Sequence, residues 1–173
     1  WRVTAQSRDA MTGTFQLSVD APERLAMWPA DFIIEVRYQL FEKTLRADIE
    51  IANPDTRTLP WGFGTHPYFR APLGNGGTLR DCVIEAPVSD FWELADFIPT
   101  GVRQSVPHDW DLPNGFRLGN VGLDHVFTGL PIVTDPLEMK LFDERAGLVL
   151  TQAASSGFRE IVIYTPSGRN TVC

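Results

Sequence analysis

Apolar and polar residues alternate with period two along most of this chain. Between 33 and 40, Ile34, Val36, Tyr38 and Leu40 share one side, while Glu35, Arg37 and Gln39 share the other. Between 44 and 52, Leu45, Ala47, Ile49 and Ile51 oppose Arg46, Asp48 and Glu50. Only a polar turn near Glu42-Lys43 separates the two segments, so together they predict an antiparallel hairpin with one wet face. The same alternation over 12–19 predicts a strand with Gly13, Phe15, Leu17 and Val19 on one face. Further strands are predicted over 79–86, 88–95, 122–129, 137–142, 147–153 and 159–165.

Turn chemistry punctuates these segments. Asn53-Pro54-Asp55, Pro113-Asn114-Gly115, Asp135-Pro136 and Pro166-Ser167-Gly168 read as turns, and Gly74-Asn75-Gly76-Gly77 reads as a hairpin turn. No long window keeps a helical period, and a turn or two of helix is expected only around Pro22–Met27. Residues 99–120, rich in Pro, Gly and Asp, read as a long irregular loop, functional or covering. The pattern predicts an all-β, antiparallel fold, a large sandwich rather than a closed barrel. A single domain over 1–173 is expected.

Composition narrows the functional classes. A net charge of −7 argues against nucleic acid or an anionic membrane as partner, because both require a basic face. No apolar run approaches the roughly 18 residues that span a bilayer. Cys82 and Cys173 make no disulfide framework, so a reducing compartment, the cytoplasm, is expected. Cys82 lies in an apolar segment and reads as a buried, inert thiol. The chain opens on Trp1-Arg2-Val3 and closes on Asn170-Thr171-Val172-Cys173 in what reads as mid-strand, the pattern of a fragment. Such a piece is expected to expose strand edges and to pair with itself or with another chain.

Candidate chemistry centres on Gly62-Phe63-Gly64-Thr65-His66-Pro67-Tyr68-Phe69. Pro67 biases His66 toward extended backbone, and the two glycines allow close approach or unusual dihedrals. Trp61, Phe63, Tyr68 and Phe69 offer flat surfaces for the C–H faces of a small polar ligand. An imidazole there is either a proton carrier near neutral pH or a core histidine bonded to a carbonyl. In Gly122-Leu123-Asp124-His125-Val126-Phe127, a strand would turn Asp124 and His125 to opposite faces. Asp124 is either a structural acceptor or a carboxylate placed to receive ligand hydroxyls. His108 reads as a solvated loop residue, and the tryptophans as core residues with bonded indoles. Arg57, Arg70, Arg103 and Arg117 are available to contact a ligand. No phosphate loop, histidine pair at metal spacing or calcium loop is present.

Several of these segments, in order, resemble the aldose 1-epimerase (galactose mutarotase) family. They are Trp28-Pro29 with the strand to Tyr38-Gln39-Leu40, the run from Asn53-Pro54-Asp55 to His66-Pro67-Tyr68-Phe69, Leu123-Asp124-His125-Val126-Phe127, and Ile163-Tyr164-Thr165-Pro166-Ser167-Gly168. The resemblance implies a supersandwich of antiparallel sheets that interconverts the α and β anomers of a free hexose without a cofactor. A general acid protonates the ring oxygen, a general base takes the C1 hydroxyl proton, and the opened aldehyde rotates before closure. On the matching positions His66 would be the acid and Asp124 the ring-orienting acceptor, with Tyr68 and Trp61 against the sugar.

The resemblance also has two departures. The family's basic glutamate follows the Tyr-Thr-Pro turn and is expected just beyond Cys173, since Glu144 and Glu160 come too early. An Asn-Arg and a His-Gly motif are likewise expected upstream of Trp1. Two other readings stay open: a carbohydrate-binding or sensing sandwich without turnover, and a hexose-6-phosphate mutarotase. A sandwich domain of a larger enzyme is a third.

Overall fold

The computed structural model describes residues 1–119, 122–131 and 136–173. Two compact units divide the chain, Trp1–Phe63 and Gly64–Cys173.

The first unit is one antiparallel sheet in the order β1 (Arg2–Gln6), β2 (Ala10–Gln16), β3 (Ile33–Phe41), β4 (Thr44–Ala52). The hairpin read from the sequence is present, with Phe41 opposite Thr44 and Ile33 opposite Ala52. Its two-residue turn places Glu42 at φ 53°, left-handed backbone of the kind that primed hairpin turns require. The strand expected over 12–19 stops at Gln16, and Leu17–Asp20 form one helical turn instead. Carboxylates decide this departure. Asp20 accepts the Gln16 N–H at 2.7 Å, and Asp31 accepts from the Ser18 N–H at 2.9 Å and the Ser18 hydroxyl at 2.6 Å. These bonds hold the chain in a turn where apolar alternation alone would continue the strand. Pro22–Met27 form a short 3-10 helix, as expected.

The second unit is a sandwich. One sheet has the order β12 (Leu148–Ala154), β11 (Leu137–Asp143), β6 (Cys82–Glu85), β9 (Phe116–Arg117). The other has the order β13 (Ile161–Tyr164), β10 (Asp124–Thr128), β7 (Asp90–Ala95), β8 (Ile98–Ser105). Ile84, Leu137 and Leu141 of the first sheet meet Phe127, Ile161 and Ile163 of the second in one buried cluster. A two-stranded ladder of β5 (Phe69–Arg70) and β14 (Thr171–Val172) contributes Val172 to that core. Cys82 is fully buried, and burial pushes its thiol up to about 11, as an inert core cysteine requires.

Several expectations are corrected. The stretch 99–120 is not a loop throughout: β8 occupies its start and β9 its end. Every residue of β8 is exposed, so no buried face imprints an alternation on it. The segment 79–86 begins with a 3-10 turn, Leu79–Asp81, capped by Thr78 through the Arg80 N–H. Gly74-Asn75-Gly76-Gly77 is a bend between β5 and β6, which do not pair, and so is not a hairpin turn. The tryptophans are not uniformly core, since Trp1 and Trp61 are exposed. Trp92 does have its indole bonded, donating to Glu160 Oε2 at 3.0 Å. Asp135 of the predicted Asp135-Pro136 turn lies outside the described residues. Among the described residues no helix is long and apolar enough to cross a membrane.

Candidate active site

His66-Pro67-Tyr68 leads directly into β5, whose Phe69 and Arg70 pair with Val172 and Thr171 of β14. Strand alternation then divides the aromatics: Phe69 packs against the core cluster while Tyr68 faces outward. The imidazole of His66 stacks on the Tyr68 ring, with centroids 5.1 Å apart and planes inclined by 26°. Its Nδ1 lies 3.1 Å from Sγ of Cys173. His66 is thus exposed but held on two sides, by a ring and by a thiol. Neither Gly62 nor Gly64 is left-handed, and a Cβ at either would meet nothing within 4 Å. The geometry the sequence expected of these glycines is therefore not used. Trp61 belongs to the first unit and is exposed there.

Backbone pairing carries this corner across to Asp124. Cys173 and Tyr164 exchange both backbone hydrogen bonds at 2.9 Å. Tyr164, the last residue of β13, stands opposite Asp124 at the head of β10. The start of β10 is fastened by Leu123, whose N–H donates to Thr165 Oγ1 and whose carbonyl accepts the Thr165 N–H, each at 2.8 Å. Directly paired residues project to the same side of a sheet, so Asp124, Tyr164 and Cys173 share one face. At about 4.8 Å per strand, Cys173 and Asp124 lie roughly 10 Å apart in the row. His66, touching Cys173, stands over one end, and the exposed Asp124 stands at the other. Among the described residues no side chain bonds the Asp124 carboxylate.

His125 points the other way, opposite the buried Ile163. Its ring meets Phe91 at 5.2 Å and Trp110 at 5.1 Å, both edge-on, with Phe127 at 5.7 Å. Burial holds its pKa below the usual 6.5 against the opposing pull of Asp124. A neutral ring with Nδ1 accepting the Asp124 N–H at 3.1 Å acts as a structural plug under the row. His108 is exposed in its turn.

The four arginines are occupied locally. Arg57 pairs with Asp55 at 2.6 Å, and Arg70 bonds Asn75 Oδ1 at 3.1 Å. Arg103 lies over the Trp92 ring at 4.4 Å, while Arg117 binds Glu144 at 2.7 Å and the Arg80 carbonyl at 2.8 Å. Glu144 and Glu160 are therefore both engaged away from His66. Among the described residues no group of three or more His, Cys, Asp or Glu could hold a metal. A cleft lined by Phe69, Leu141, Leu150, Ile163 and Val172 opens beside Cys173. Its walls are mostly apolar, with Lys140 and Gln152 also among the lining. The polar face of the row offers an imidazole that can exchange a proton and a carboxylate that accepts without donating. Of the residues singled out in the sequence, His66, Tyr68 and Asp124 lie along this row, and Cys173 as the contact of His66 was not among them.

The row joins segments near 66, 124, 164 and 173, and comparison with known proteins bears on the fold that carries them. The chain superposes on a galactose mutarotase-like protein from Clostridium acetobutylicum with a TM-score of 0.84 at 18% identity, covering 100% of this chain and 53% of that one. It superposes on a galactose mutarotase-like protein from Lactobacillus casei with a TM-score of 0.79 at 19% identity, covering 99% and 58%. For a galactose mutarotase related enzyme from Lactobacillus acidophilus the TM-score is 0.70 at 17% identity, covering 99% and 57%. The fold is thus the all-β, galactose mutarotase-like one, and the chain spans about half the length of these structures. No curated protein matches it by sequence. The aldose 1-epimerase family profile matches residues 1–173, and the chain belongs to that family.

Proposed function

We propose that the His66–Asp124 face is the sugar-handling face of an aldose 1-epimerase that interconverts the anomers of a free hexose. The observation that carries the reading is the row itself. Motifs far apart in sequence bring an exposed imidazole and an exposed carboxylate, unpaired among the described residues, to one side of a row of hydrogen-bonded segments. In this reading His66 donates a proton to the ring oxygen as the C1–O5 bond breaks, and recovers it when the ring closes. The thiol at Nδ1 leaves Nε2 as the nitrogen that faces substrate. Asp124 accepts from sugar hydroxyls and sets the ring's orientation, and Tyr68 backs the imidazole. The proton at the C1 hydroxyl needs a base, and Glu144 and Glu160 are both engaged elsewhere. The chain spans about half the length of the structures it matches, so turnover is proposed for the whole protein.

An unphosphorylated sugar is favoured over a hexose phosphate because all four candidate arginines have partners within the chain. Polarimetry on freshly dissolved α-glucose and α-galactose tests the proposal. It is run with this chain and with the longest protein that contains the sequence. Acceleration above buffer supports an epimerase. Saturable sugar binding without acceleration in either protein supports a non-catalytic sugar-binding role instead.

A further inference from the structure

β4 is the outer strand of its sheet, and its exposed edge has a self-complementary charge pattern. Phe41 and Thr44 close a two-residue hairpin. In the antiparallel alternation, Thr44, Arg46, Asp48 and Glu50 therefore bond back to β3, while Leu45, Ala47 and Ile49 turn their N–H and C=O groups outward. Charges along an edge normally discourage further pairing. Here they alternate in sign. A second β4, antiparallel and centred with Ala47 opposite Ala47, sets each Arg46 against the other copy's Asp48 and each Thr44 against the other's Glu50. Shifting by one pair in either direction faces Asp48 with Asp48 or Arg46 with Arg46. Arg46 is exposed and Asp48 half-buried, and among the described residues each has its ion pair with the other, at 2.7 Å along the strand.

The apolar side has the same logic. Leu40, Leu45 and Tyr38 are 56%, 65% and 43% exposed on one face of the β3–β4 hairpin. In the centred register, Leu45 of one copy lies against Ile49 of the other, continuing that face across the seam.

We propose that β4 pairs with β4 of a second copy of this chain in this register, making a two-fold dimer whose specificity resides in Arg46 and Asp48. A single added strand pair buries little area, which places the dimer among weak, reversible associations. Sedimentation velocity over a concentration series tests it, with circular dichroism as the check on folding. Arg46→Asp and Asp48→Arg are each expected to weaken dimerisation at least tenfold, because each turns both cross-strand pairs repulsive. Mixing the two variants restores opposite charges at every position, so an equimolar mixture is expected to dimerise although neither does alone. The double variant R46D/D48R is expected to regain the wild-type dimer. Ala47→Pro removes an outward N–H at the seam, a change tolerated on an edge, and is also expected to abolish pairing. A wild-type chain that stays monomeric, single swaps that dimerise as well as wild type, or a folded mixture that remains monomeric would each overturn the proposal.

Discussion

Sγ of Cys173 lies 3.1 Å from Nδ1 of His66 across 107 residues of sequence. That contact ties the histidine corner to the strand row leading to Asp124, and it makes the two thiols chemically unlike. Cys173 is partly exposed and Cys82 fully buried, with burial raising both thiols and pushing Cys82 up to about 11. In the folded chain a disulfide exchange reagent is expected to titrate one thiol, at Cys173, and a second only after denaturation. Mass spectrometry of the labelled peptides identifies which. Rapid labelling of both under native conditions would mean that the β6 core opens readily.

His125 predicts a pH dependence of stability. Its folded pKa lies below 6.5 because burial disfavours the charged ring, so the unfolded chain takes up the proton at higher pH than the folded one. Stability is therefore complete above pH 6.5 and declines as pH falls below it. Replacing His125 with Phe, which keeps a ring among Phe91, Trp110 and Phe127, is expected to flatten that slope in urea unfolding followed from pH 6.5 downward. Identical slopes for wild type and variant would contradict the plugged-ring assignment.

Asp143 is buried at the end of β11 and accepts the Gly74 N–H at 2.8 Å and the Ala146 N–H at 2.9 Å. These bonds hold its carboxyl below the usual 3.8. Asp143→Asn is expected to lower the melting temperature more than Asp48→Asn on exposed β4, since only the first weakens buried, charge-assisted bonds. The gap between Asp143→Asn and wild type is full above pH 3.8 and closes as acid is added below it.

Phe127 has no exposed surface and lies where β10 crosses the sandwich core, three residues after Asp124. Phe127→Ala is expected to cost about 3–5 kcal/mol in chemical denaturation. A cost near zero would mean that the described core does not stabilise the unit.

Burial explains which parts of this fold were legible in sequence. The β3–β4 hairpin could be read because Ile34, Val36, Ile49 and Ile51 lie on one face and charges on the other. β8 could not, because none of its residues is buried and its turn uses Asp96 and Phe97 in left-handed backbone without glycine. Leu17 and Val19 misled for the opposite reason: they continue a period-two pattern through a turn that Asp20 and Asp31 hold by side-chain bonds. In the site, His66 and Asp124 stood out through their local motifs. Their link through Tyr164 and Cys173 is a property of strand pairing over long separations, which period and spacing do not encode.

The sugar-face account is tested most directly by anomer exchange measured by magnetisation transfer between the α and β C1 protons. The longest protein containing this sequence is compared with its His66→Asn variant. If His66 is the proton donor, the catalysed exchange falls by about 10²–10⁴-fold, with the fold unchanged by circular dichroism. Undiminished exchange in folded His66→Asn would contradict the assignment.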